Sequence, residues 1–251
     1  KFGPFLGLLL VVCLFSIDSE VREFFLSYAN FKIILTQTVI VAIGALGMTL
    51  IIISGGIDLS VGSVIAFTSV VGALLIQHAW PTFAVVMAVI AAGGMIGLLN
   101  GTAIAGLRMT PFIITLGTLG IARGGAKWLA NNETVNYDMS PINGWMTTSN
   151  PFGWSLPAGA WVALGLAVIS AVLLRRTVFG RHIFAIGSNE ATARLCGVAT
   201  VRNKIYIYVL AGCFFGLAGL MQLSRLRQGD PTVAIGVELD IIAAVIIGGA
   251  S

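Results

Sequence analysis

Residues 54–63, Ser54-Gly55-Gly56-Ile57-Asp58-Leu59-Ser60-Val61-Gly62-Ser63, interrupt one of the most apolar parts of the chain. TLIII precedes them at 49–53 and VIAFTSVVGALL follows at 64–75. An aspartate in hydrocarbon costs about 2.5–3.5 kcal/mol even on lenient insertion scales, and adjacent glycines break a helix. What the interruption means depends on what surrounds it. Of 251 residues, 57% are hydrophobic and 10% charged, against about 25% charged in an ordinary soluble domain. With a mean hydropathy of +0.99, the chain reads as a membrane protein.

The apolar residues fall into eight blocks, at about 2–17, 33–53, 59–77, 82–107, 111–130, 158–174, 203–223 and 233–251. Most match the roughly 20 residues a helix needs to cross a hydrocarbon core. None alternates in polarity as a membrane β-strand would. The expected fold is all-α, a polytopic helical membrane protein with a break near 54–63. It is expected to form one transmembrane domain over 1–251, cut at both ends, because the chain opens on Lys1 and stops at Ser251 inside an apolar run. Three scattered cysteines, Cys13, Cys196 and Cys213, fit neither a disulfide framework nor a metal site.

Charge placement predicts orientation. Arg175, Arg176, Arg181, Arg194, Arg202 and Lys204 crowd the connection after the sixth block, with Glu190 the sole acid, so that loop is expected in the cytoplasm. The 131–157 connection has no Lys or Arg and carries Tyr137, Trp145 and Trp154 as expected interface anchors on the outside. The Asp58 region then lies toward the inner side.

Small residues at four-residue spacing, Gly93/Gly97/Gly101, Gly120/Gly124 and Gly212/Gly216, predict close helix packing within the bundle. A faint match between 92–98 and 211–217 reads as chance in so restricted an alphabet. Asp58 and Ser60 are good N-caps before a new apolar run, so 54–63 reads as the break between two helical pieces. Irregular backbone at membrane depth is tolerated where it is buried in protein or lines a wet cavity. In the basic loop, 181–198 holds a short amphipathic helix with Ser188 or Asn189 as N-cap, Glu190 in its first turn and Gly197 as its stop.

Four ordered stretches carry a resemblance: Ala45-Leu46-Gly47-Met48-Thr49 with GGIDLSVGS, Gly97-Leu98-Leu99-Asn100-Gly101, Thr110-Pro111-Phe112-Ile113-Ile114-Thr115-Leu116-Gly117-Thr118, and the Gly180-Arg181 to Gly197-Val198 loop. Together they resemble the permease subunits of ribose-type ABC importers, a family that also serves other monosaccharides and autoinducer-2. The resemblance implies about ten helices in the full chain, of which eight are here. It also implies a second permease copy, identical or paralogous, a periplasmic sugar-binding protein, and a cytoplasmic ATPase that holds the ATP and magnesium. Ser188, Asn189, Glu190, Ala191, Arg194, Gly197 and Val198 are then the coupling helix to that ATPase. Ser54, Gly55, Gly56, Asp58, Ser60, Ser63, Asn100, Thr115 and Thr118, with Thr68 beside them, are expected on the translocation pathway. No GxxxxGK[ST] phosphate loop occurs in this chain. Lipid is an expected partner and nucleic acid is not.

Other classes fare worse. An ion-coupled transporter would draw on Asp58, Glu238 or Asp240 as its mid-membrane carboxylates. A channel would need a filter repeat or ring of charge, and neither is evident. For a membrane enzyme, His78 and His182 fall on opposite sides of the membrane.

Overall fold

The computed structural model describes residues 3–138, 140–145 and 157–249. Among them, eleven α-helices follow in order: α1 (Gly3–Phe15), α2 (Ser19–Phe25), α3 (Tyr28–Ile53), α4 (Val61–Gln77), α5 (Thr82–Gly101), α6 (Pro111–Leu129), α7 (Ala158–Arg176), α8 (Val178–Ser188), α9 (Glu190–Leu195), α10 (Thr200–Leu226) and α11 (Val237–Ile247). A π-helical stretch, Thr102–Gly106, extends α5, and two short strands are found among the described residues, β1 (Val135–Asn136) and β2 (Gln228–Gly229). They pair antiparallel, Val135 opposite Gly229 and Asn136 opposite Gln228.

Each of the eight apolar blocks coincides with a helix. Among the described residues, four spans are long and apolar enough to cross a membrane: Tyr28–Ile53, Thr82–Gly106, Ala158–Arg176 and Thr200–Leu226. The helices Phe5–Phe15 and Val61–Gln77 are apolar but shorter. The last block differs most from expectation. Its helix starts at Val237 rather than 233, because Ala234 (φ 59°) and Gly236 (φ 84°) hold left-handed conformations that a helix cannot contain.

At the centre lies α10, whose Ile207, Tyr208, Ala211, Phe215, Ala218, Leu220 and Leu223 are buried among α3, α4 and α5. Its close approach to α5 rests on glycine. A β-carbon on Gly93 would meet the Gly212 carbonyl oxygen, and one on Gly97 would meet that of Tyr208. Because lipid supplies no hydrophobic drive between helices, van der Waals contact at this separation holds the pair. The matching 92–98 and 211–217 segments therefore face one another across one seam. Gly120 and Gly124 depart from the expected packing role, since a β-carbon on either would meet nothing within 4 Å.

The outermost helix, α1, turns Phe5, Leu6, Leu8, Leu9 and Leu10 outward, each at least 60% exposed. An apolar surface of that kind suits lipid rather than water. Of the expected interface anchors, Tyr137 and Trp145 pack inward against the apolar core, and Trp154 lies outside the described residues.

Candidate functional site

The end of α3 is built by hydrogen bonding. Ser54 caps it, the Gly55 N–H donates to the Ile52 carbonyl (2.9 Å), and the Gly56 N–H reaches back to Ile51 (3.0 Å). This is the Schellman pattern, and its left-handed position is filled by Gly55 at φ 82°. Gly56 is fixed differently, by proximity: a β-carbon there would lie 2.6 Å from the Tyr208 hydroxyl and 3.1 Å from Ile51 Cγ2.

Asp58, only 2% exposed, then organises the turn into α4. Its Oδ1 accepts from the Ser60 N–H (2.8 Å) and the Ser60 hydroxyl (2.6 Å), an Asx-turn. This corrects the expectation of side-chain caps. Ser60 occupies the N-cap position of α4 with no side-chain cap bond, because its backbone is already helical (φ −79°, ψ −8°) rather than extended, and its oxygen accepts from Asn100 instead.

The network then crosses to two further helices. Asn100 on α5 donates from Nδ2 to Asp58 Oδ2 (3.3 Å) and Ser60 Oγ (3.2 Å). On α6, the Thr118 hydroxyl donates to Asn100 Oδ1 at 2.6 Å. Thr115 stands beside it, bonded to the Pro111 carbonyl at 3.0 Å and 3.5 Å from that of Ile57. Asp58, Ser60, Asn100 and Thr118, 42 residues apart at the widest hydrogen bond, thus form one continuous polar chain. In a medium that offers no water, each bond also avoids the cost of an unpaired polar group.

The other expected pathway residues stand apart from this chain. Ser54 bonds the Ile51 carbonyl (2.8 Å) and Thr68 that of Val64 (2.7 Å), the backbone-directed habit of helical hydroxyls. Ser63 Oγ is buried without a hydrogen bond among the described residues, and so is the Tyr208 hydroxyl. Sequence reasoning missed Tyr208. The signal available was a phenol in the middle of an apolar helix, where the hydroxyl needs a reason to be dry.

The basic loop folds as two helices rather than one, because the Asn189 backbone is extended (φ −160°, ψ 103°) and ends α8 before α9 begins. Ser188 is the last residue of α8, so the cap is Asn189, whose Oδ1 accepts from the Thr192 N–H at 2.9 Å. Glu190 joins Arg194 (3.4 Å) and Lys204 (2.5 Å) in one ion-pair group. Although partial burial pushes the Glu190 carboxyl up, these two cations outweigh it and hold it below the usual range. The helix stops at Gly197 (φ 84°), with the Val198 N–H bonded to Ala193 (3.0 Å). Ala191 and Leu195 face outward, Leu195 at 89% exposure.

One contact joins the two regions. Gly187, next to last in α8, lies so close to α3 that a β-carbon would overlap the Ile53 carbonyl oxygen and lie 3.4 Å from Ser54 Cα. The basic loop therefore rests on the residue where the break begins. Among the described residues, no three His, Cys, Asp or Glu side chains gather as a metal site.

The family described as branched-chain amino acid transport system / permease component matches residues 30–251. The ribose import permease protein RbsC of Escherichia coli K12 is 37% identical over 98% of this chain and 77% of its own length. RbsC of Bacillus subtilis is 38% identical over 100% of this chain and 77% of that protein. The L-arabinose transport system permease protein AraH of Escherichia coli K12 is 38% identical over 82% and 62%. No solved structure matches. With a family match over nearly the whole length and relatives this close, the chain belongs to the ABC permease components, as a transport subunit and not a catalytic one.

Proposed function

We propose that this chain is the membrane subunit of an importer that carries a monosaccharide, ribose first among the candidates, from periplasm to cytoplasm across a bacterial inner membrane. The observation that carries the reading is the identity of 37–38% to two ribose import permeases over essentially the whole chain. A similar identity to L-arabinose permeases supports the pentose class and leaves ribose as the finer part of the proposal.

In this reading a separate ATPase docks on α8 and α9, a sugar-binding protein delivers from outside, and a second permease copy completes the pathway. The eight apolar helices all cross the bilayer, with the arginine-rich loop inside. ATP binding biases the subunit between two arrangements. The contact of Gly187 with Ile53 offers a direct route from the ATPase to the break. Asp58, Ser60, Asn100 and Thr118 brace that break beside the pathway.

The test is uptake of labelled ribose by proteoliposomes holding the full-length permease, its ATPase and its binding protein, competed by pentoses, hexoses and autoinducer-2. ATP-dependent accumulation is expected, with the strongest competitor identifying the substrate. Accumulation driven by a proton or sodium gradient, indifferent to ATP, would overturn the reading in favour of an ion-coupled transporter using Asp58.

A further inference from the structure

The Asp58 network spends its polar groups on itself. A second group of charges, formed by Arg123 of α6 and Glu238 of α11, does not. Arg123 is the thirteenth residue of α6, about 18 Å along the helix from Pro111 and about 9 Å short of Leu129. Its side chain is half-buried at that depth along an apolar helix, where an ionisable group needs a partner or a task.

Part of the task is visible. Between β2 and α11 the chain runs through 230–236 without regular structure, turned by Asp230, whose Oδ1 accepts from the Thr232 N–H and hydroxyl, both at 2.7 Å. Arg123 Nη1 donates to the Pro231 (3.0 Å) and Val233 (2.6 Å) carbonyls, which a helix would have satisfied internally. The turn presses on α4, where a β-carbon on Gly62 would meet the Ala234 carbonyl oxygen and lie 2.5 Å from Glu238 Oε2. Glu238 thus sits against the first turn of α4, two residues from Ser60. Among the described residues its carboxylate makes no hydrogen bond or ion pair, and it flanks the same turn whose Pro231 and Val233 carbonyls Arg123 holds.

What remains, among the described residues, is a guanidinium with N–H groups on Nη2 and Nε that make no hydrogen bond, and flanking the same turn a half-buried carboxylate with free lone pairs. Opposite charges at one place leave no net charge, so a neutral solute brings no counter-ion. Neighbouring hydroxyls on a sugar ring complement such a pair, one accepting from the guanidinium and the next donating to the carboxylate, both by charge-assisted bonds. We infer that Arg123 and Glu238 are the pair that grips a vicinal diol of the sugar as it passes the turn at 230–236. This rests on the monosaccharide reading above, and it places substrate contact here rather than on Asp58.

The test uses the reconstituted full complex and reads two quantities, ribose uptake and ATP hydrolysis stimulated by the loaded binding protein. Glu238→Gln removes the charge from a side chain that holds nothing else together. It should lower uptake at least tenfold while stimulated hydrolysis stays within twofold of wild type, because docking and the ATPase cycle do not involve it. Wild-type uptake in Glu238→Gln would overturn the grip while leaving the importer reading intact. Loss of hydrolysis in step with uptake, or loss of assembly, would make the residue structural and overturn the grip as well. Failure of the wild-type complex to take up any sugar would overturn both.

Discussion

The Gly187 backbone occupies the space next to the Ile53 carbonyl oxygen, with no room between them for a methyl group. Interiors packed this closely transmit displacement instead of absorbing it. Movement of α8 therefore moves the residue from which the Schellman turn at Gly55 and Gly56 begins.

Gly187→Ala should separate coupling from docking. The added methyl group forces α8 off α3, while α9 with its Glu190, Arg194 and Lys204 ion pairs lies beyond the disturbance. ATPase co-purification is expected to persist and ribose uptake to fall at least tenfold. Unchanged uptake would show that force reaches the break by another route.

At the break itself, Gly56→Val should impair transport, since a β-carbon there already crowds the Tyr208 hydroxyl. Asp58→Asn should leave it largely intact. An asparagine oxygen still accepts both Ser60 hydrogens, and Asn100 can turn its amide so that Thr118 accepts and donates instead to the Ile114 carbonyl, 3.0 Å away. The net loss is about one hydrogen bond, or roughly 0.5–1.5 kcal/mol. Asp58→Leu orphans Ser60 and Asn100 together and should reduce both expression and thermal stability. Uptake by each variant, normalised to protein in the membrane, checks the order.

The seam between α5 and α10 predicts a contrast in stability. Gly97→Val overlaps the Tyr208 backbone and should cost about 1–3 kcal/mol or more by overpacking, whereas Gly124→Ala, with open space around it, should leave the melting temperature of the detergent-solubilised protein unchanged. Equal losses in the two variants would mean that α6 is packed in a way a single chain does not reveal.

For the loop, Glu190→Lys with Arg194→Glu should abolish ATPase co-purification without unfolding the membrane part, because Lys204 then opposes another lysine. Acid should act differently. A carboxyl held below its ordinary value contributes its stabilisation in full above about pH 4.3, and loses it as pH falls through the lower folded value. Docking should therefore be flat from pH 5.5 to 8 as far as Glu190 is concerned. A midpoint in that window that disappears in Glu190→Gln would contradict the pairing.

Much of this architecture was legible because lipid demands long apolar runs and punishes exceptions. The break at 54–63, the cap at Asn189 and the stop at Gly197 are local signals, each set by a few neighbouring residues. Tyr208 near Gly56, Thr118 on Asn100 and Arg123 on the 231–233 carbonyls are meetings of distant segments, and nothing in the spacing of their residues encodes them. The α11 start was misread because the run from Val233 onward is apolar enough for a helix, while the left-handed Ala234 and Gly236 and the bond from Arg123 to the Val233 carbonyl hold it as a turn.

The short ladder between β1 and β2 has a mechanical consequence of its own. It fastens the loop that follows α6 to the chain immediately ahead of Asp230. Whatever leans on that loop must either peel the ladder apart or drag Gln228 and Gly229 along with it, and Pro231 is only two residues further on. Two residue pairs thus act as a drawstring, by which a touch at the rim is felt as tension inside the bundle.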